Sequence, residues 1–196
     1  NLSNSLITNS KIFDSNFSES NFSNSDLSKS NLEDSNFFNS KLLKTKINYA
    51  SLNKSIFRNA YLEDVQIIDS TLAGSDFSNS DLINTSFRSS YMPGTNFENS
   101  KAKNAIFLEA PAVDGSVFKG SDLTNSIFTG ADLDGVDFSK TNLSFADFSG
   151  ADLGGASFEN ADLFYTRFSG QDISKPNITD INGGNFKNAT LKNTNF

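Results

Sequence analysis

The chain has 196 residues, 36% of them hydrophobic, with no Cys, no His, no Trp and a formal charge of −7. Without Cys or His it has no disulfide framework, no thiolate metal site and none of the commonest general base. The acidic balance disfavours direct binding to nucleic acid, whose phosphates need basic surface. No apolar run is long enough to cross a membrane, and no basic-then-apolar signal segment opens the chain, which favours the cytoplasm. A first residue that is Asn1 and not Met fits a processed chain or an excised domain.

Taken in order, the chain is a repeat. From Leu2 an apolar centre falls at every fifth residue: Leu2, Ile7, Ile12, Phe17, Phe22, Leu27, Leu32, Phe37 and onward to Phe107, with Ala112 as a weak last member. Two residues before each centre stands a small residue, as in Ser5, Ser10, Ser15, Thr45 and Ala50. Such strict spacing argues against disorder, despite the wealth of Asn and Ser. Residues 109–117 form a first irregularity. One residue is expected to be inserted between Ala112 and Phe118, with Ala102 and Ala112 thinning the core and Pro111 lacking a backbone donor. The register then runs from Phe118 to Ile178 and is cleanest between Ser116 and Asp172, in units such as SIFTG, ADLDG and ADLGG. A second irregularity at 174–184 could project a short loop, and resets the centres to Ile181, Phe186, Leu191 and Phe196. About 40 units result.

A period of five matches neither a helix nor a strand, so each unit must contain a turn. The tandem A(D/N)LXX pattern, as in Ala131–Gly135 and Ala151–Gly155, resembles the pentapeptide-repeat family over essentially the whole chain. That resemblance implies an all-β fold: a right-handed quadrilateral parallel β-helix, with four five-residue units to a coil, about ten coils and one domain over 1–196. Centres 20 apart should then stack. Phe17, Phe37, Phe57, Phe77, Phe97, Phe118, Phe138 and Phe158 form one such column, and all are Phe. The column five residues earlier (Ile12, Leu32, Leu52, Leu72, Met92, Ala112, Leu133, Leu153, Ile173) contains none. A period of five alone would not separate the two.

Stacking buries what a single unit cannot. The small residue is expected to relieve crowding inside the corners. Asp or Asn before the centre should hydrogen-bond the turn backbone, and Gly in the last place suits a turn with positive φ.

The outer surface is uneven. Residues 41–60 carry Lys41, Lys44, Lys46, Lys54 and Arg58 and no acid, whereas 121–173 carry nine acids against Lys140 and Arg167. Asp132, Asp152 and Asp172 should stack, with Asp134 beside them; Asp114 and Pro111 lie in the first irregularity. Stacked like charges repel. They are either a by-product of an Asp that suits its turn or an acidic stripe for a basic partner. Phe145 and Tyr165 should also stack, with Phe164 adjacent, as an exposed anchor or as a ladder that only stiffens the coil. No catalytic constellation, cofactor site or metal site is apparent.

The expected function is a non-enzymatic β-helical scaffold or protein-interaction module, as one domain of a larger protein or alone. The alternative, implied by the resemblance to quinolone-resistance members of the family, is a DNA mimic that binds DNA gyrase or another type II topoisomerase. The resemblance also implies a homodimer through the C-terminal coil.

Overall fold

The computed structural model describes residues 1–168 and Lys187. Along residues 6–167 the residue before nearly every centre pairs in parallel with its counterpart one coil on: Leu6 with Asp26, Asn16 with Asn36, and so to Asp147 with Arg167. Each pairing is a single bridge, because a five-residue unit has room for one bridging residue before the next turn. Three backbone bonds per unit join neighbouring coils. Leu27 N donates to Lys46 O at 2.8 Å, Asp26 N to Ser5 O at 2.9 Å, and Lys29 N to Asn48 O at 2.8 Å. Between the first coil and the last described one, the backbone of a unit is thereby paired with the coils on either side.

Inside run four columns of centres, begun by Leu2, Ile7, Ile12 and Phe17. These four are partly buried; from Phe22 to Phe168 the centres are buried. In the Phe17 column, successive rings down to Phe158 stack with centroids 4.6–5.3 Å apart. A second phenylalanine column, absent from the sequence-based expectation, continues Ile7, Leu27, Ile47 and Ile67 as Phe87, Phe107, Phe128, Phe148 and Phe168, stacked at 4.7–5.2 Å. The two columns face each other and interleave. Phe87 meets Phe77 and Phe97 edge-on at 5.6 and 5.4 Å, and such edge contacts recur to Phe168. Offset stacks within a column and edge contacts across it are the two arrangements a ring quadrupole favours.

Each centre opens a tight turn. At most centres its carbonyl accepts from the N–H three residues on, as in Ser25 N to Phe22 O at 3.0 Å; at others that N–H donates to a serine of the next coil, as in Ser70 N to Ser90 Oγ at 3.1 Å. The third residue of every turn has positive φ, from Asn4 at 58° to Tyr165 at 56°. Asn and Gly suit this conformation, as expected, but Lys29, Tyr49 and Phe145 adopt it too. The stack imposes the geometry regardless of the side chain.

The small residue does more than fit a crowded corner. Ser25 Oγ donates to Leu2 O at 2.6 Å and accepts from Ser5 N at 3.0 Å. The same bond to the centre carbonyl one coil back is made by Ser30, Thr45, Ser55, Ser75, Ser116, Ser121 and Thr166. These hydroxyls are buried and stitch coil to coil along the corners. Among the described residues, Ser126 Oγ is the buried side-chain oxygen without a partner. The residue before the centre behaves as expected: Asp26, Asn36, Asp76 and Asp137 accept from the N–H two residues on at 2.8–2.9 Å.

The first irregularity lies elsewhere than its sequence suggests. The inserted residue is the exposed Pro111, and the centre of the unit is Val113, which is fully buried. Ala112 is the bridging residue, paired with Tyr91. The Ile12 column therefore runs through Val113, not Ala112, and is thinned less than expected. Pro111 has no N–H to give the ladder, so the extra residue sits at a bend between Ala110 and Ala112 where none is needed. Every bridge that encloses Pro111 spans one residue more than a regular coil, as in Lys101 with Asp122 and Ile106 with Ile127.

Asp172, the segment 174–184 and the C-terminal coil expected to form a homodimer lie outside the described residues. Asn160 N donates to Lys187 O at 2.8 Å, whereas Lys140 N one coil earlier reaches Glu159 O. The sequence separation between Asn160 and Lys187 is therefore longer than a regular coil provides.

Candidate functional site

The sequence places its candidate residues in one stretch; the structure distributes them over two surfaces. Asp132 and Asp152 are bridge partners flanking Leu133 and Leu153 of the Ile12 column. Asp114 and Asp134 follow Val113 and Leu133 and occupy the same wall, both exposed. Burial raises the Asp132 carboxyl above its ordinary range. The Asp134 N–H opposes this, and the charges of Asp152, Asp114 and Asp134 reinforce it. The carboxylates therefore act on one another, and the turn bond of Asp132 to Asp134 N is long, at 3.4 Å. Asp152 keeps its turn bond to Gly154 N at 3.1 Å. Pro111 lies at the corner that leads into this wall.

The aromatic group stands on the Leu2 column, two walls away. Phe145 and Tyr165 follow Leu143 and Leu163 in consecutive coils and stack at 5.4 Å with planes 5° apart. Phe164 meets both edge-on, at 5.6 and 4.5 Å. Phe145 and Tyr165 each stay 51% exposed, and both have positive φ, 63° and 56°. For bulky residues this backbone region is unfavourable. On the neighbouring wall Arg167 reaches Asp147 at 3.4 Å. Asp162 is exposed and caps its own turn through Phe164 N. Asp132 pairs with Asp152 and Phe145 stacks on Tyr165, as the stacking of coils predicts, but the acidic and aromatic residues do not meet.

The basic coil is partly neutralised. Arg58 Nε donates to Asp76 at 3.1 Å, while Lys41, Lys44, Lys46 and Lys54 are exposed. Burial works to raise the Asp76 carboxyl, but hydrogen bonds from Ser78 and the Arg58 guanidinium together outweigh it and hold the group below the usual carboxylate range. Among the described residues no group of three or more carboxylates is arranged to hold a metal ion. Among them, too, no helix is long and apolar enough to cross a membrane.

Two family models match the chain: a pentapeptide-repeat region over residues 10–87, and pentapeptide repeats in eight copies over 80–111, 113–139 and 141–175. A comparison with curated protein sequences gives no match. Among solved structures, the chain is similar to a trypsin-treated variant of QnrB1, a plasmid-mediated fluoroquinolone resistance protein, with 17% identity and a TM-score of 0.50 over 96% of this chain and 83% of that one. It is also similar to HetL, a pentapeptide-repeat protein involved in heterocyst differentiation regulation in the cyanobacterium Nostoc sp. strain PCC 7120, with 17% identity and a TM-score of 0.35 over 97% and 86%. The ladder of parallel bridges and these family matches together identify a right-handed β-helix, and the chain belongs to the pentapeptide-repeat family.

Proposed function

We propose that residues 1–196 form one four-sided rod of about ten coils that works without catalysis, as a scaffold presenting a protein-recognition surface. The observation that carries this reading is the aromatic group of Phe145, Phe164 and Tyr165. Two rings occupy turn positions where the backbone disfavours them, and half of each remains in water. Asn and Gly fill most equivalent positions without that strain. Exposed aromatics with restricted rotamers are effective anchors for a protein partner. Asp132, Asp134, Asp152 and Asp114, with Pro111 at its corner, form a second, acidic wall that would steer a basic partner or add to the contact.

A photo-crosslinking phenylalanine analogue placed at position 165, and at the exposed Tyr49 as control, tests the aromatic reading in the native host extract. A discrete protein adduct from position 165 and not from 49 is expected. Identical labelling from both positions contradicts the reading.

A second reading is favoured by the carboxylate wall alone: mimicry of the DNA backbone toward DNA gyrase or a related topoisomerase. Its test is a gyrase supercoiling assay with the purified protein. The absence of both inhibition and protection from a quinolone at micromolar concentration removes it.

A further inference from the structure

A polar groove runs along the corner between the Phe17 and Leu2 columns, in earlier coils than both candidate surfaces. It encloses about 370 Å³ and is lined chiefly by Asn39, Asn59, Asn79, Tyr61, Asp81 and Lys101. The three asparagines end three successive turns of the Phe17 column, at residues 39, 59 and 79 with φ of 54°, 58° and 58°. Successive coils are about 4.8 Å apart, so the three amides span about 10 Å. Tyr61, Asp81 and Lys101 form the facing row, each pairing with the next along the bridge ladder.

The groove's polar groups are uncommitted. On the next corner, Asn104 donates to Asn84 at 2.9 Å and Asn84 to Asp64 at 3.0 Å, so those amides satisfy one another. Asn39, Asn59 and Asn79 are exposed and line the groove. The Tyr61 ring is 51% exposed at the groove wall. Asp81 spends one oxygen on a long, 3.4 Å turn bond to Ile83 N, leaving the other free. The inventory is three amides and the Tyr61 hydroxyl, which both donate and accept, one acceptor, one cationic donor and one open aromatic face.

This inventory selects a ligand class. Asp81 opposes an anion and Lys101 opposes a cation, and the two formal charges cancel. The lining offers too little apolar area to retain a hydrophobic molecule. A neutral polyhydroxylated ring fits: its hydroxyls donate and accept in equal measure, and its C–H face can lie on Tyr61. We propose that this groove is a binding site for a neutral saccharide, with Tyr61 as the stacking platform and Asn39, Asn59 and Asn79 as the hydroxyl-reading ladder. The proposal is independent of the protein-recognition reading, and neither stands or falls with the other.

The test is a heteronuclear NMR titration of the full chain with maltotriose, cellotriose and chitotriose in turn, and with inorganic phosphate as an ionic control. At least one trisaccharide is expected to shift the side-chain amides of Asn39, Asn59 and Asn79 and the Tyr61 ring, saturating below about 10 mM. Tyr61→Ala, at an exposed position that leaves the core intact, is expected to weaken binding about fivefold to tenfold. Tyr165→Ala, on the distant aromatic group, should leave it unchanged. The proposal is overturned if no trisaccharide moves those amides, if Tyr61→Ala binds as well as the parent chain, or if phosphate alone produces the shifts.

Discussion

At the scale of single residues, the corner hydroxyls decide more than size. Ser121 Oγ bonds Phe97 O at 2.6 Å and accepts from Ser100 N at 3.1 Å, inside the protein. Ser121→Ala should cost about 1–2 kcal/mol, read from denaturant midpoints, because it removes one of two donors to the buried Phe97 carbonyl and the partner of the buried Ser100 Oγ. One unit along, Ser126 Oγ has no partner, so Ser126→Ala should be neutral or stabilising. Opposite signs for two serines one unit apart are the signature of hydrogen bonding; equal losses would mean that volume alone matters. Asp132 gives a pH-dependent case. Its carboxyl has a raised pKa, so the folded chain holds that proton more tightly than the unfolded one. Its ionisation therefore destabilises the fold above the folded pKa, and this penalty disappears as pH falls below the ordinary Asp value of about 3.9. Asp132→Asn should raise the melting temperature at pH 7 and lose that advantage near pH 3. An unchanged advantage at both pH values would place its origin outside the charge of Asp132.

At the scale of one unit, the turn and the columns share the work. The positive φ at each third turn residue is set by the stack, so a bulky residue there carries strain. Tyr49, 61% exposed with φ 57°, should be improved by Tyr49→Asn by about 0.5–1 kcal/mol. A loss of stability in thermal melts would show that its ring contributes contacts worth more than the strain. Within the interior, Phe77 stacks on Phe57 and Phe97 and meets Phe87 edge-on. Phe77→Ala should cost about 3–5 kcal/mol through the cavity it leaves. A loss below about 1 kcal/mol would contradict its inward placement.

The sequence made this interior legible because one centre in five had to be apolar, and because the phenylalanines from Phe17 to Phe158 recur once per coil. It concealed the second column, since Ile7, Leu27, Ile47 and Ile67 precede Phe87 and dilute the pattern. The place of the insertion was ambiguous for a related reason. Ala112 and Val113 are both small and apolar, and only backbone pairing with Tyr91 decides which of them bridges. Hydroxyl bonding was hidden as well, because Ser and Ala are equally small. The candidate residues were found by their spacing of one coil, but spacing along one column does not say which wall a different column occupies. The aromatic and acidic groups therefore looked like neighbours in the sequence and are not neighbours in space.

At the scale of the whole molecule, stability is a sum over stacked coils, and each coil needs only its two neighbours. The structural period is the coil of four units, and not the single unit that the sequence repeats. Removing residues 62–81 deletes one full coil and returns every later centre to its own column, so Phe97 follows Phe57. Removing residues 62–66 deletes one unit, keeps the sequence repeat intact and shifts every later centre by one column. Phe57 would then stack on Leu82, and Phe77, Phe97 and Phe118 would continue the Ile12 column. The decisive measurement is the thermal unfolding of these two deletions, followed by circular dichroism. The full-coil deletion should unfold cooperatively within a few degrees of the parent, and the single-unit deletion about 10 °C or more lower, as expected for a loss of several kcal/mol. A single-unit deletion as stable as the full-coil one would contradict the period of four units.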